Sequence, residues 1–262
     1  MADFSIMTVD RDNVDEMGFF CVKNKKHPGY AAKRAWLDQR FEEGLRIKLL
    51  LTPEGEQAGF LEYIPGQHTW RVVRAPDHLV IHCIWVKAAK SPHRGIASAL
   101  LDACTEDAES TGKEGVAVVT SDGPWMVGKA VFLKHGFEQV DEAPPCFQLM
   151  VRQTGGGPPP SFPNNWDERL RRCRDLQLLY TNQCPYIGKA IAELPLVAER
   201  HGIRLHLVEL SDATEAQERM PSPYGVISLV YQGRLLADHP ISATRFKNIL
   251  QKELRLQPRD GN

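Results

Sequence analysis

The stretch from His78 to Ala108 constrains this chain most. It begins with HLVIHCIWV, an apolar run of strand length rich in β-branched and aromatic residues. A polar loop follows, KAAKSPHRGIA, punctuated by Pro92 and Gly95. Then Ile96, Leu100, Leu101, Ala103, Cys104 and Ala108 recur at the spacing of one helical face. The order is strand, tight loop, helix, with the helix starting near Gly95. A helix start presents unpaired N–H groups and a positive dipole end. With Gly95 and Ala97 there, a pyrophosphate could rest directly against backbone.

The rest of the chain falls into place around this unit. Residues 1–9 read as a strand, 14–22 as a short helix and 31–44 as a helix stopped at Gly44. RIKLLLT and AGFLEYI make a hairpin, and Pro65 to Asp77 is a polar connection carrying Trp70. GVAVVT is a buried strand, Trp125 to His135 a helix, FEQVDE an outward continuation and CFQLMVR a closing strand. TGGGPPPSFPNN, residues 154–165, is a linker, because Gly and Pro runs cannot supply a packed element. Beyond it the order is β-α-β-α-β-β-α, with a hairpin turn at Gln232-Gly233 and an amphipathic helix last. The expected units are therefore 1–153, a linker at 154–165, and 166–262, all of α/β class.

Composition sets the bounds. The chain has 262 residues and a formal charge of −1, which gives no bulk electrostatic case for nucleic acid. No run is apolar enough to span a membrane, and the N-terminus lacks a signal-peptide pattern. Six cysteines (21, 83, 104, 146, 173 and 184) show neither disulfide-scaffold nor zinc spacing, so reduced thiols, a cytoplasmic location and no metal are expected.

The first half resembles the GNAT acetyltransferase superfamily, on HLVIHCIWV, on Gly95-Ile96-Ala97 and on KAVFLKHGFEQV. The resemblance implies a mixed sheet with flanking helices and acetyl-CoA as cofactor. It implies Ile84, Trp85 and Val86 along the pantetheine arm and His93, Arg94, Gly95, Ile96, Ala97 and Ser98 at the phosphates. The family's loop begins with Arg or Gln where this chain has Pro92. By period-two counting from Val86, His82 occupies the place of the base, with Glu62 on the preceding strand as the second candidate. Cys83 alternates to the other face and reads as core. The family's tyrosine acid is replaced by Phe132, which leaves water, Cys83 or Tyr63 to protonate the departing thiolate. The basic run Lys23, Lys25, Lys26 and His27 reads either as a solvated loop or as the rim of an acceptor pocket.

The second half resembles the thioredoxin fold. Cys184-Pro185-Tyr186 follows a strand and opens a helix, where a thiol pKa is lowered. Ile187 occupies the resolving position of a Cys-x-x-Cys pair. The fold's cis-proline has Pro223 as its nearest counterpart. The whole arrangement resembles bacterial proteins with a C-terminal YoaP-type domain. The implied activity is N-acetyl transfer to an amine of a small molecule or peptide, with homodimer formation left open. Two alternatives stand: a thiol-based redox or thiol-transfer protein using Cys184, and a non-catalytic acyl-CoA sensor.

Overall fold

The computed structural model describes residues 4–87 and 95–258. The first unit is a seven-stranded mixed sheet in the order β1-β2-β3-β4-β5-β7-β6. Its strands are β1 (Ser5–Val9), β2 (Arg46–Leu51), β3 (Gln57–Pro65), β4 (His78–Val86), β5 (Gly115–Ser121), β6 (Glu138–Ala143) and β7 (Phe147–Gln153). Neighbours are antiparallel except β4 and β5, which run parallel, joined by helix α3 (Ile96–Ser110) as a crossover. The strand and helix expected between His78 and Ala108 are therefore both present.

Two helices are shorter than their sequence patterns suggest. α1 covers Val14–Met17 and stops at Gly18, after which Phe19 and Phe20 turn into the core as loop residues. α4 covers Lys129–Leu133, because Trp125 takes a left-handed conformation and Gly128 an extended one. α2 (Tyr30–Glu42) matches its pattern. FEQVDE is a paired strand, β6, so the first unit has one strand more than the simplest reading.

The sheet buries both faces. Leu61, Tyr63, Leu79, Ile81 and Ile84 pack against α3, with Leu100, Leu101 and Cys104 opposite them. On the other face Phe60, Ile64 and Val80 pack beneath α2 with Trp36, Leu37 and Trp70. This second cluster does not end with the first unit. It continues through Phe162 into Leu178, Leu229 and Phe246.

The second unit holds four strands in the order β11-β10-β8-β9: β8 (Gln177–Tyr180), β9 (His206–Glu209), β10 (Ile227–Tyr231) and β11 (Arg234–Ala237). β8 and β9 are parallel; β10 is antiparallel to β8 and β11. Its helices are α5 (Trp166–Arg171), α6 (Ile187–Arg200), α7 (Ala213–Arg219) and α8 (Ala243–Asn248), the last continuing as a π turn. Gln232 and Gly233 both take positive φ in the β10–β11 turn, as a tight hairpin requires. The cis peptide found among the described residues is Pro144–Pro145, not Pro223.

The linker is not a free joint. Ser161 forms a β-bridge with Arg74, Gly157 N–H donates to Glu114, and Phe162 N–H donates to Asp141 at 2.8 Å. The units meet backbone to backbone. A Cβ on Gly225 would lie 2.0 Å from the Trp70 carbonyl oxygen, and one on Gly29 would lie 1.9 Å from that of Pro185. The connection from Pro65 to Asp77 is correspondingly not a solvent loop: Trp70, Val72, Val73 and Ala75 are buried.

Candidate active site

The site begins with a slip in register. β3 and β4 pair Leu61 with Ile84 and Glu62 with Cys83, but Tyr63 pairs with Ile81, so His82 is an extra residue in β4. A bulge of this kind breaks the period-two alternation. Leu79, Ile81, Ile84 and Val86 face α3, whereas His82 touches Trp36 and Trp85 stacks on Phe20 from the α2 side. Counting by twos from Val86 to His82 therefore fails, because the bulge puts His82 on the opposite face from Ile84. It also turns Cys83 out of the core: the thiol is exposed, and the residue lines the cleft described next.

Past the bulge, β4 and β5 part. Their last paired residues are Ile81 and Val118; beyond them β4 keeps only β3 as a partner and β5 keeps only β7. A cleft opens between the two strands, lined by Arg71, Cys83, Val119, Met126, Phe132 and Tyr224. Strand residues 82–86 thus have a sheet partner on one edge alone. The N-terminus of α3 lies beside this end of β4, where Ile96 and Leu100 pack over Gly59, the partner of Val86. Gly95 caps the helix in a left-handed conformation, φ +99°, which suits glycine. The first-turn N–H groups at Ile96, Ala97 and Ser98 have no partner four residues back within the helix. His93 and Arg94, expected at the phosphates, lie outside the described residues, as do Lys90 and Pro92.

Beneath the cleft is a buried charged group. Lys33 Nζ lies 2.6 Å from Glu62 Oε2, with both side chains almost fully enclosed. Burial works to raise the Glu62 carboxyl, but Lys33 and His82 outweigh it and hold the pKa at about 2. His82 Nε2 accepts from Trp70 N–H at 3.2 Å and lies 3.1 Å from Thr69 Oγ1. A backbone N–H can only donate, so Nε2 is the unprotonated nitrogen and Nδ1 carries the hydrogen. Nδ1 faces Glu62 Oε1 at 3.5 Å, long for a hydrogen bond. Burial depresses His82 to about 4 against the pull of Glu62. The ring is thus neutral, and its lone pair is already engaged by the Thr69–Trp70 segment.

Arg71 closes the group from above. Its guanidinium donates to the carbonyls of His82 and Tyr224, and its Cζ lies 4.7 Å from the Tyr224 ring centroid. Its buried Nε–H has no acceptor among the described residues. The second unit thereby contributes Tyr224 to the wall of a cleft otherwise built by the first.

Cys184 is half-buried in the turn before α6, which begins only at Ile187. Burial pushes its thiol up to about 11, and a hydrogen bond from the Tyr186 backbone opposes this only in part. The lowering expected of a helix start is overridden by desolvation. Tyr63 lies on the α3 face, hydrogen-bonded to Asp107, away from the cleft. Lys23, Lys25 and Lys26 are exposed, while His27 meets Tyr186 edge-on at 5.6 Å. Lys33, Arg71 and Tyr224 were missed as site residues. Lys33 left a signal, since it precedes Trp36, Leu37, Arg40 and Phe41 at helical spacing on the buried face of α2. Arg71 and Tyr224 sit in irregular segments and left none.

Acid should weaken this arrangement in two stages. The unfolded chain takes up a proton on His82 as pH falls through about 6.5, whereas the folded chain resists to about 4. Stability present above pH 6.5 is therefore lost between those values. Glu62, with an ordinary value of 4.5 and about 2 when folded, extends the loss below pH 4.5. Thermal midpoints measured from pH 7 to pH 4 should fall steadily, and His82→Gln should flatten the part above pH 4.5. An unchanged slope in that variant would show that other groups set it.

No protein-family model matches the chain. It is 29% identical over 248 residues to a Bacillus subtilis (strain 168) protein described as the uncharacterized N-acetyltransferase YoaP, spanning 92% of this chain and 96% of that one. The likeness to YoaP runs the length of both chains. Among solved structures, the Escherichia coli GNAT family N-acetyltransferase YhbS in complex with CoA matches 64% of this chain and 93% of its own, at 13% identity and a TM-score of 0.41. AAC(6')-Iy, in complex with the bisubstrate analogue CoA-S-monomethyl-acetylneamine, matches 54% of this chain and 95% of its own, at 15% identity and a TM-score of 0.42. Among the described residues no helix is long and apolar enough to cross a membrane.

Proposed function

We propose that this chain is an acyl-CoA-dependent N-acetyltransferase of the GNAT type, which moves an acetyl group from acetyl-CoA to an amine of a small molecule or peptide. The observation that carries this reading is the parting of β4 and β5 after Ile81 and Val118, beside the N-terminus of α3. The relative's description as an N-acetyltransferase supports it.

The cleft suits the cofactor. It offers strand backbone free on one edge, apolar walls at Val119, Met126 and Phe132, and at Arg71 a buried donor without an acceptor among the described residues. Acetyl-CoA supplies an activated acyl group and a thiolate leaving group. The backbone of Ile84, Trp85 and Val86 lies along the thioester arm, and the Ile84 and Val86 N–H groups, on the edge away from β3, polarise the thioester carbonyl. Gly95, Ile96, Ala97 and Ser98, with His93 and Arg94 from the loop, hold the pyrophosphate. Lys33 pairs with Glu62, while Arg71 donates to two backbone carbonyls and has no carboxylate partner among the described residues, which leaves an excess of positive charge beneath the cleft. That excess favours the neutral, nucleophilic form of an approaching amine and the thiolate of the departing coenzyme. Glu62, enclosed beneath the cleft, then acts by charge and position, while His82 lines the cleft as a neutral ring whose Nε2 is engaged by Trp70 N–H, so the acceptor's proton leaves to water in the cleft. Tyr224, held protonated by burial, takes the acid's place beside Phe132.

The second unit is read as a thioredoxin-like domain of YoaP type. The strand order β11-β10-β8-β9 with one parallel pair supports this. We place the units at 1–153 and 166–262 and the protein in the cytoplasm. Incubation with acetyl-CoA and a panel of amines, following release of free thiol, tests the activity. Turnover that persists in Cys184→Ser is the expected result. Tight acetyl-CoA binding without turnover on any amine would replace the enzyme with a sensor.

A further inference from the structure

We propose that Cys83 and Cys21 are a reversible redox pair, which a hydroperoxide converts to a disulfide joining β4 to the segment after α1. The bulge at His82 turns Cys83 toward that segment, where Phe20 stacks on Trp85 two residues along β4, and the neighbouring Cys21 and Cys83 thiols perturb each other's ionisation. Cys83 is exposed in the cleft, so a small oxidant reaches it, while Cys21 is half-buried behind it. An accessible thiol with a second thiol in contact is the arrangement of a sulfur that oxidises and is then captured.

The partner segment is held in place. Phe20 stacks on Phe60 and Trp85 with centroids 5.0 and 5.1 Å apart. The Cys21 carbonyl accepts from the Tyr186 hydroxyl at 2.8 Å, a bond from the second unit. The electrostatics assign the roles: the Cys21 thiol favours the Cys83 thiolate, burial and Glu62 oppose it and Arg71 and Lys33 add to it, so that Cys83 is lowered while Cys21 itself is raised. Cys83 is therefore the attacking sulfur. Cys184 lies near enough to sense Cys83 but stays protonated through burial, and Cys21 is the thiol in contact with Cys83. Among the described residues no three Cys, His, Asp or Glu side chains converge to hold a metal.

The chemistry balances with one hydroperoxide. The Cys83 thiolate attacks the peroxide oxygen, the O–O bond breaks, and Cys83 becomes a sulfenic acid as hydroxide leaves and takes up a proton. Cys21 then attacks the Cys83 sulfur, its own proton leaves with the sulfenic hydroxyl as a second water, and the S–S bond forms. Both sulfurs are oxidised and both peroxide oxygens are reduced. A reducing thiol reverses the pair by exchange.

Peptide mapping reads the sulfurs directly, whether or not acetyl transfer occurs. Trypsin places Cys21, Cys83 and Cys184 on three different peptides, 12–23, 75–87 and 175–189. The intact wild-type chain, treated with hydrogen peroxide and alkylated, should yield a 12–23/75–87 cross-link that dithiothreitol removes. Folded Cys21→Ser should instead accumulate a dimedone-reactive sulfenic acid at Cys83. Full alkylation of both cysteines after peroxide, or a 75–87/175–189 cross-link in place of the expected one, would overturn the proposal. Because the wild-type map needs no variant, misfolding of Cys21→Ser would leave that test intact.

Discussion

Lys33→Met should destabilise the protein by about 3–5 kcal/mol, the cost of leaving a buried carboxylate without its cation. Glu62 is 2% exposed and its nearest cation is Lys33 at 2.6 Å. His82 cannot replace it, because its Nε2 is engaged by Trp70 N–H and burial keeps the ring neutral. With Lys33 gone, burial dominates and the Glu62 carboxyl rises above its unfolded value of 4.5. The sign of the pH dependence then reverses for this group: its contribution is complete below pH 4.5 and is lost as pH rises. Urea midpoints should show the variant gaining stability relative to wild type between pH 7 and pH 5. Adding Glu62→Gln should recover most of the loss at pH 7. A double variant as weak as the single one would mean that the loss comes from packing against Trp36, which Lys33 Nζ approaches to 4.2 Å.

Tyr224→Phe should lower kcat for acetyl transfer by about 10²-fold, toward the modest end of general-acid effects because a thiolate leaves readily. The KM for acetyl-CoA should hardly change, since the ring still fills the wall of the cleft. Phe132 lines the same cleft from the first unit. A tyrosine there could deliver the proton from the other side, so Phe132→Tyr added to Tyr224→Phe should restore much of the rate. An undiminished kcat in the single variant would assign the proton to water.

Regular elements were legible because their periodicity is set by the core. β4 was found residue for residue and α3 to within two residues, and the Gln232-Gly233 turn was fixed by its need for positive φ. The site was legible only in outline. The cleft end of β4 and the start of α3 follow from local pattern, but the face of each β4 side chain depends on a bulge whose cause is tertiary. His82 is extra because Thr69, Trp70 and Arg71 draw it toward the second unit through its ring and its carbonyl. Nothing between His78 and Val86 announces that. Cys83 was misplaced for the same reason. Arg71 and Tyr224 belong to irregular segments far apart in the chain, and no local window contains both. The lowering expected for the Cys184 thiol was a sound local argument overturned by burial against the first unit.

The contact between the units also sets an order of events during synthesis. The bonds that complete the site span great distances along the chain: Arg71 to Tyr224 is 153 residues, Gln217 to Thr69 is 148, and Tyr186 to Cys21 is 165. A ribosome adding roughly 5–20 residues each second leaves about 8–30 s between the emergence of Trp70 and that of its cover. The sheet of the first unit has its own local pairings and can close within that interval. The Thr69–Ala75 segment, with its apolar side chains, waits until the last third of the polypeptide arrives. The nascent chain therefore carries a sticky, half-built pocket for much of its time on the ribosome, and the cleft between β4 and β5 is among the last parts to mature.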